Sequence, residues 1–489
     1  MNMPWTLARQ TAREAAKPLD AAERALPDAL GLALASTVRA LTSQPTCDTS
    51  AMDGYAVAGP GPWTVVGRVA AGDPVPLVVL RSGEAFGVAT GAPVPDGSRS
   101  VVPVERCSVD GTLLRHTADA QHRQAPRHRA GDRREPTGHL SGSHDRRRHD
   151  DPAGHHTHRP EDPPADPRCE GLPLDGHTHQ HEVPPPGKHI RRRGEDWSAG
   201  DELIPAGSLI SPAVLGLAAA AGHDTLLAHR RPRVAVIVTG DELLHTGPPR
   251  PGRVRDAIGP MLPGLLARAD LIGTTHLRDD PSALARALRF DDPSPLANAL
   301  QPDDPSPLAY APQSGDPSAL AYAPQSDDPS THANAFPFNQ ADVLVTCGAT
   351  SVGPADHLRR VLLDLDAEIL VSGVACRPGH PMLLAVLPDG RCVVGLPGNP
   401  FAALAAVLTL LHPLLDILGG HTTRPPVTAH LSDVNAHPRD TRLIPVTRHG
   451  NAATPVGHDR PGSLRGAALA DALAVVPPGH QGGEVELLA

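Results

Sequence analysis

Residues 233–243 read RVAVIVTGDEL, a continuous apolar run that ends in the polar turn Thr239-Gly240-Asp241-Glu242. Two later segments repeat this pattern, VLVTCGATSVGPADHL from Val343 and CVVGLPGNPFAAL from Cys392. In each segment a run rich in β-branched residues leads into a glycine-bearing turn and then into a helical pattern. Such runs, alternating with helices, predict a doubly wound, mostly parallel sheet that helices cover on both faces.

The three turns predict one ligand site. The carboxyl ends of parallel strands lie at the same edge of a sheet, and ligands bind in the crevice there. Glycine lets backbone amides approach an oxyanion, and the helix N-terminus that follows adds a favourable dipole. The residues that we expect to bind the ligand from these turns are Gly240, Asp241, Gly348, Ser351, Gly353, Pro397, Gly398, Asn399 and Pro400.

Charged groups lie beside these turns. The carboxylates Asp241, Glu242 and Asp356 indicate a divalent cation, because Mg²⁺ is usually held by one or two acidic oxygens and a ligand phosphate. For Asp356, a helix N-cap is the simpler structural interpretation, and it is compatible with a role in metal binding. The loop Arg377-Pro378-Gly379-His380 is stiffened by proline, and its arginine and histidine suit a phosphate or a tetrahedral oxyanion.

Bulk composition limits the class of protein. The 489 residues are enough for about three domains, and the formal net charge of -10 argues against a general nucleic-acid binder. Six scattered cysteines without a C-x-x-C pair indicate neither a zinc site nor a disulfide framework. The apolar run from Phe401 is interrupted by His412, Pro413 and Asp416, so no membrane span is expected. We therefore expect a cytoplasmic protein.

Two segments are irregular. Residues from about 107 to 187 are rich in Arg, His, Pro and Asp and poor in large apolar residues, which predicts disorder. The histidine-rich stretches 155–158 and 177–181 leave metal binding open as a less favoured alternative. Residues 279–338 form a twelve-residue tandem repeat, whose first copy is a plausible helix start with Asp280 as N-cap and Pro281 at the first helical position.

The N-terminal part combines helical and β patterns. Apolar residues recur at helical spacing from Thr6 to Ala40, which predicts one or two amphipathic helices. Short β-like pieces follow the stretch SAMDGYAV (50–57) and suggest a small antiparallel β unit. We interpret Gly54 as permitting an unusual backbone angle at a turn. The tail from about Pro425 predicts a small β-barrel.

These motifs together resemble those of the molybdopterin molybdenumtransferases, the MoeA family, which is related to the E-domain of gephyrin. The resemblance covers most of the chain outside the two irregular segments, and its pieces occur in the family's order. The matching pieces are SAMDGYAV (50–57), TGAPVPDG (90–97), GKHIRRRGEDWSAGD (187–201), PRVAVIVTGDEL (232–243), RDDP (278–281), GATSVGPADH (348–357), RPGHP (377–381) and GLPGNP (395–400).

The resemblance implies a multidomain α/β architecture. An elongated, helical linker domain is expected at 1–45 and 188–230, and a small β domain at 46–187. The α/β molybdopterin-binding domain is expected at 231–420, and the C-terminal β-barrel at 421–489. The family is a homodimer whose active site lies between the sheet domain of one subunit and the small β domain of the other.

The implied activity is the insertion of molybdate into adenylylated molybdopterin with release of AMP. Functional residues carried over by motif are Asp53, Thr90, Asp196, Glu242, Asp279, Asp356, Arg377, His380, Pro397 and Pro400. Of these, Glu242, Asp279 and Asp356 are expected to hold Mg²⁺, and the PGNP turn and Arg377 to border the molybdate. The molybdopterin adenylyltransferase is a further expected partner.

The chain departs from the family in ways that keep two alternatives open. The family usually has lysines at the positions of Arg377 and His380, and the irregular segment replaces strands of the small β domain. One alternative is a molybdopterin adenylyltransferase, which shares the sheet domain but generally lacks SAMDGYAV, TGAPVP and the C-terminal domain. The other is a pterin-binding scaffold without turnover.

Overall fold

The computed structural model describes residues 2–117, 185–289, 338–348, 357–432 and 434–488. These form two compact units, one of residues 43–198 and one of residues 1–42 and 199–489. Nearly all of the segment expected to be disordered, and most of the twelve-residue repeat, lie outside the described residues. Residues 279–289 of the repeat's first copy are described, and there Asp280 caps the helix that begins at Pro281, because its Oδ1 accepts from the Ser282 amide at 2.9 Å.

The elements are numbered in chain order. The strands of the first half are β1 (Met3–Pro4), β2 (Ala21–Ala25), β3 (Ala33–Leu34), β4 (Val38–Arg39), β5 (Thr49–Ser50), β6 (Gly54–Val57), β7 (Trp63–Val69), β8 (Glu84–Val88), β9 (Ser100–Pro103), β10 (Cys107–Asp110), β11 (Leu113–His116), β12 (Ile190–Arg191), β13 (Glu202–Ile204) and β14 (Thr225–His229). Those of the second half are β15 (Arg233–Thr239), β16 (Leu243–Leu244), β17 (Val254–Arg255), β18 (Asp270–Leu277), β19 (Val343–Cys347), β20 (Glu368–Ser372), β21 (Val374–Arg377), β22 (Leu383–Val386), β23 (Cys392–Leu396), β24 (Val427–Leu431), β25 (Thr441–His449), β26 (Ala452–Pro455), β27 (Ala472–Val476) and β28 (Gly483–Leu488). The α-helices are α1 (Trp5–Glu14), α2 (Pro212–Ala220), α3 (Leu262–Leu265), α4 (Pro281–Arg289), α5 (Leu358–Asp364), α6 (Pro400–Ala406) and α7 (His412–Leu418).

The central sheet has the strand order β18-β15-β19-β23-β22-β20. The first four strands are mutually parallel, and β22 and β20 add an antiparallel edge. In register, Val234 lies opposite Val343, and Val343 lies opposite Cys392. The three apolar runs singled out from the sequence are therefore adjacent strands, which confirms the predicted mostly parallel sheet.

Both faces of this sheet are buried. Along β15, Val234, Val236 and Val238 pack into a core with α1, α6 and α7, whereas Ala235 and Ile237 pack into a second core with α4 and α5. Alternate side chains of one strand thus serve two cores, as the period of two in a strand requires. This arrangement confirms the doubly wound prediction.

One helix of the described chain is long and apolar enough to span a membrane. It runs from Pro400 to Leu418 over 19 residues and includes a π-helical stretch, Val407–Leu411, between α6 and α7. Of its apolar window, 78% is buried inside the protein. This is the burial of a core helix, because a lipid-exposed helix would leave most of that surface uncovered.

The C-terminal region forms the predicted barrel. The strand order β25-β26-β24-β28-β27 closes on itself because β25 also pairs with β27. Closure leaves no free edge among these five strands. The sheet extends beyond the barrel through β21 and β1, since β21 pairs with β25 and β1 pairs with β21.

The N-terminal region contains one α-helix, α1, which agrees with the one or two helices that its pattern predicts. After α1, Ala21–Ala25 form a strand that pairs with Thr225–His229, and Leu26–Ala29 form a 3₁₀ turn. Pro18 and Pro27 flank this strand, and proline in a helix interior removes a hydrogen bond and clashes with the preceding turn. The linker region therefore combines two helices, α1 and α2, with short strands.

Residues 43–198 form the small β unit, whose sheet has the order β10-β11-β7-β8-β6-β9. Two expected boundaries need correction. Disorder was expected from 107, yet Cys107–Asp110 and Leu113–His116 form a hairpin that extends this sheet through β7. Residues 188–198 were assigned to the linker but belong to this unit, because Ile190 and Arg191 pair with Ser50 and Thr49.

Candidate active site

Three strand ends meet at the carboxyl edge of the central sheet. The Gly348 amide donates to the Leu396 carbonyl at 3.1 Å, which joins the end of β19 to the end of β23. The Thr239 hydroxyl donates to the Cys347 carbonyl at 3.3 Å, which joins β15 to β19. The structure thus brings the three predicted turns together.

Gly348 is required where these turns meet. Its φ of +96° lies in the left-handed region, and a Cβ there would stand 2.8 Å from the Thr239 carbonyl oxygen. Glycine is also favoured at position 240, because its φ is +146° and a Cβ added there would stand 3.0 Å from Glu242 Oε2. Both turns therefore need glycine for their backbone conformation.

The turn after β23 leaves Gly398 and Asn399 exposed, while Pro397 is buried and Pro400 begins α6. The amides of the first helical turn are not available to an oxyanion. The amides of Phe401 and Ala402 donate to the carbonyl of Pro461, at 2.9 and 3.3 Å. The barrel region therefore covers this helix N-terminus, a contact that the sequence did not reveal.

The loop that carries Arg377 and His380 packs against the same helix. A Cβ on Gly379 would stand 3.4 Å from the Ala402 carbonyl oxygen, so the loop lies directly on α6. Arg377 is exposed, and its Nε donates to Asp440 Oδ2 at 2.7 Å. This guanidinium, together with the nearby His437, holds the pKa of the Asp440 carboxyl below its ordinary value.

His380 uses both ring nitrogens. Its Nδ1 lies 3.0 Å from the Val374 carbonyl, to which it donates, and its Nε2 accepts from the side-chain amide of Asn2 at 3.3 Å. The carbonyl can only accept, so the proton of this hydrogen bond lies on Nδ1. Of the two predicted charged groups in the loop, Arg377 is the permanent cation, because arginine stays protonated in proteins.

The two described residues of the predicted magnesium set lie on neighbouring loops. Asp279 Oδ2 accepts from the Asp241 amide at 3.3 Å, so the loop after β18 is joined to the turn after β15. Glu242 and Asp279 are both exposed. Three predicted residues, Ser351, Gly353 and Asp356, lie outside the described residues.

In the small β unit the structure brings Asp53 and Thr90 together. The Thr90 amide donates to Asp53 Oδ1 at 2.7 Å, and both residues are exposed. Asp196 forms an ion pair with Arg191, in the strand next to Thr49 and Ser50. The hydrogen bond that Arg191 donates to Asp196, together with the negative charge of Asp196, raises the pKa of Arg191.

Three family models match the chain in the order expected for one architecture. The MoeA N-terminal region (domains I and II) matches residues 3–145 and 157–222, a probable molybdopterin-binding domain matches 318–417, and the MoeA C-terminal region (domain IV) matches 430–488. The chain belongs to the MoeA family. The third model falls on the barrel, and the first covers the unit with Asp53 and Thr90.

Named relatives of this MoeA-family chain are molybdopterin molybdenumtransferases. Enzyme 2 of Mycobacterium tuberculosis is 28% identical over 92% of this chain and 90% of its own length. The Synechococcus elongatus enzyme is 27% identical over 78% of this chain and 72% of its own length. For the Nostoc enzyme, at 27% identity, the match spans 49% of this chain and 45% of the relative.

Solved MoeA structures share the fold. The molybdopterin biosynthesis MoeA protein of Pyrococcus horikoshii superposes with a TM-score of 0.64 at 18% identity, covering 100% of both chains. A second structure of that protein gives a TM-score of 0.62 at 21% identity, covering 100% of this chain and 99% of the other. At these identities the likeness establishes the MoeA architecture.

Two contacts of this MoeA-family site were missed in the sequence. Asp440 and Pro461 come from the barrel and reach the Arg377 loop and the start of α6, respectively. Gly462 also lies against the turn, because a Cβ on it would stand 3.5 Å from Asn399 Oδ1. The stretch DRPGS (459–463), rich in turn residues, was the available signal, but nothing in it indicates which element it covers.

Proposed function

We propose that this chain is a molybdopterin molybdenumtransferase, which inserts molybdate into adenylylated molybdopterin and releases AMP. The observation that carries the proposal is the convergence of three glycine-bearing strand ends, joined by the contacts of Gly348 with Leu396 and Thr239. This edge offers exposed backbone, carboxylates and an arginine loop to a phosphorylated ligand. The relatives that match most of the chain carry this activity in their names.

The residues of the edge have separable roles in this proposal. Gly398 and Asn399, which are exposed, present backbone to the pterin phosphate and the incoming oxyanion, and Gly240 and Gly348 shape the turns beside them. Arg377, kept in place by Asp440, supplies a permanent positive charge beside α6. Preorganised donors of this kind stabilise charge that develops when a phosphoanhydride is cleaved. In the homodimer that the resemblance implies, the carboxylates of Asp53 and Asp196 act on the ligand from the small β unit of the other subunit.

We propose Glu242 and Asp279 as the ligands of Mg²⁺. Both are exposed carboxylates, and the hydrogen bond from the Asp241 amide joins their loops. This donor set fits Mg²⁺, which takes one or two carboxylates and completes its shell with water and ligand phosphate. When bound, the ion neutralises charge on the phosphoanhydride. Asp356 stays a predicted third ligand.

The quaternary and cellular assignments are also proposals. We expect a homodimer, as the MoeA resemblance implies, and a cytoplasmic location in which the molybdopterin adenylyltransferase supplies the adenylylated substrate. Light scattering on the purified chain measures the mass directly. A mass of one chain, 51.0 kDa, at all concentrations would contradict the dimer.

The activity is tested by AMP release from adenylylated molybdopterin with Mg²⁺ and molybdate. We expect release by the wild type and at least a tenfold loss for Asp53→Ala, about 1.4 kcal/mol or more in the barrier. Asp110→Ala is the matched control, because Asp110 is an exposed aspartate of the same β unit outside the motifs. Equal loss in both variants would indicate general damage to that unit.

The two alternatives give different products in this assay. A molybdopterin adenylyltransferase would consume ATP and release pyrophosphate from unadenylylated molybdopterin. A scaffold would bind the pterin, seen by its fluorescence, and release no AMP. Either result with folded protein would overturn the proposed activity.

A further inference from the structure

Three potential metal ligands meet close to, but apart from, the predicted magnesium residues. His245, Asp256 and His276 each offer one ligand atom, and these atoms all lie within 4.8 Å of one another. His245 follows β16, Asp256 follows β17, and His276 lies near the carboxyl end of β18. Among the described residues, these are the three His, Cys, Asp or Glu side chains that lie close enough together to hold one cation.

Asp256 is held with one oxygen free for this cluster. Its Oδ1 accepts from the amides of Ile258 and Gly259 at 2.9 and 3.0 Å, and its side chain is 9% exposed. A Cβ on Gly259 would stand 2.4 Å from Oδ2, so glycine there leaves room for the second oxygen. Burial by itself would raise the pKa of Asp256, but its hydrogen-bonding partners bring the pKa below its ordinary value. The carboxylate is thus charged at neutral pH.

His276 points an unsatisfied nitrogen toward that oxygen. Its Nε2 is buried and has no hydrogen-bond partner, and it lies 3.7 Å from Asp256 Oδ2. This separation is too long for a hydrogen bond. It is close to the roughly 3.3 Å between two ligands of a tetrahedral zinc ion with bonds of about 2.0–2.1 Å.

The second imidazole completes the arrangement. The His245 and His276 rings have centroids 4.0 Å apart and cross at 68°. Imidazole binds a metal ion in its neutral form, through a ring nitrogen. A cation between them would satisfy the buried nitrogen and balance the carboxylate.

We propose that His245, Asp256 and His276 form a binding site for a zinc-class divalent cation. Imidazole nitrogens select zinc and related first-row ions, whereas Mg²⁺ and Ca²⁺ prefer all-oxygen sites. Three protein ligands leave a fourth position for water. The site is distinct from the Glu242 and Asp279 carboxylates because it uses nitrogen donors.

The site would link the segments after β16 and β17 to the end of β18. His245 lies three residues after Glu242, and His276 lies three residues before Asp279. A cation that joins His245 to His276 therefore restrains the two loops that carry the predicted magnesium ligands. Because the ion binds the folded arrangement, it also stabilises the fold.

The test measures zinc retained by the full chain after dialysis against a weak chelator. We expect the wild type to retain one equivalent more than the His245→Ala/His276→Ala double variant. The difference is decisive because the histidine-rich stretches 155–158 and 177–181 are present in both proteins. His430→Ala/His449→Ala, which removes two exposed histidines of the barrel, is the matched control and should retain the wild-type amount.

Two further readouts keep the test independent of folding and of activity. Co²⁺ added to the wild type should give the intense visible absorption of a four-coordinate ion, and Asp256→Asn should lose it. That variant keeps an oxygen for the Ile258 and Gly259 amides, so its fold is retained. Zinc should raise the unfolding temperature of the wild type and of the barrel control, but not of Asp256→Asn. Equal zinc retention and equal Co²⁺ spectra in all variants would overturn the proposed site. His276 and Asp256 would then be neighbouring side chains that bind no metal.

Discussion

At the scale of single residues, Gly54 explains why the motif around Asp53 contains glycine. Gly54 is buried at the start of β6, which pairs with β8 and β9, and its φ lies outside the positive range. A Cβ there would stand 2.1 Å from the Val102 carbonyl oxygen on the neighbouring strand. The interpretation that Gly54 permits an unusual backbone angle is therefore wrong, and close approach of strands is the reason for glycine.

Gly54→Ala should separate β6 from β9 and destabilise the small β unit by about 3 kcal/mol, the upper part of the range for overpacked sites. Gly216→Ala is the matched control, because Gly216 in α2 has open space around it and should gain up to about 1 kcal/mol from better helix propensity. Urea unfolding of both variants measures the difference. If Gly54→Ala were as stable as the wild type, the close strand approach would be refuted.

At the scale of elements, the buried helix Pro400–Leu418 carries a titratable group. His412 Nε2 donates to the Leu265 carbonyl at 2.8 Å, which ties α7 to the end of α3. Burial lowers the pKa of His412, and the nearby Arg268 and Arg9 act in the same direction. The folded protein therefore prefers the neutral imidazole.

This preference predicts a pH dependence of stability. Because the folded-state pKa is below the unfolded value of about 6.5, the unfolded chain takes up the proton first as the pH falls. The contribution of neutral His412 to the free energy of unfolding is complete above pH 6.5. Below that pH it is lost, by at most about 1.4 kcal/mol per pH unit. His412→Gln, which keeps a donor for the Leu265 carbonyl, should make the urea midpoint less dependent on pH between pH 5 and 7. His449→Gln, at an exposed site, should leave the wild-type slope.

The same scale shows which parts of the fold could be predicted from the sequence. The strands ending at Thr239, Cys347 and Leu396 were predictable, because β-branched runs and glycine turns are local signals. The occupation of the Phe401 amide by Pro461 was not, because it depends on how a distant barrel packs on α6. The His245, Asp256 and His276 cluster was missed for the same reason, since its members come from two loops and a strand that are separate in sequence.

At the scale of the whole molecule, one side chain binds the chain just before and just after the long insertion, residues 290–337. Arg391 donates through Nη2 to the Leu288 carbonyl at 2.8 Å and through Nη1 to the Phe338 carbonyl at 3.3 Å. One guanidinium thus binds the chain on both sides of residues 290–337. Two hydrogen bonds and the width of that group place the two carbonyl oxygens within roughly 8 Å.

Replacing residues 290–337 by a Gly-Ser linker of about six residues should therefore keep the fold. Each halving of a loop lowers its closure cost by about 0.6 kcal/mol, so a roughly eightfold shortening should stabilise the protein by up to about 2 kcal/mol. Arg391→Ala should destabilise both the full chain and the shortened one, because its partners Leu288 and Phe338 then lose their shared donor. Thermal unfolding and AMP release on the four proteins measure both effects. A shortened chain that unfolds at a much lower temperature than the full chain would show that the insertion contributes packing of its own.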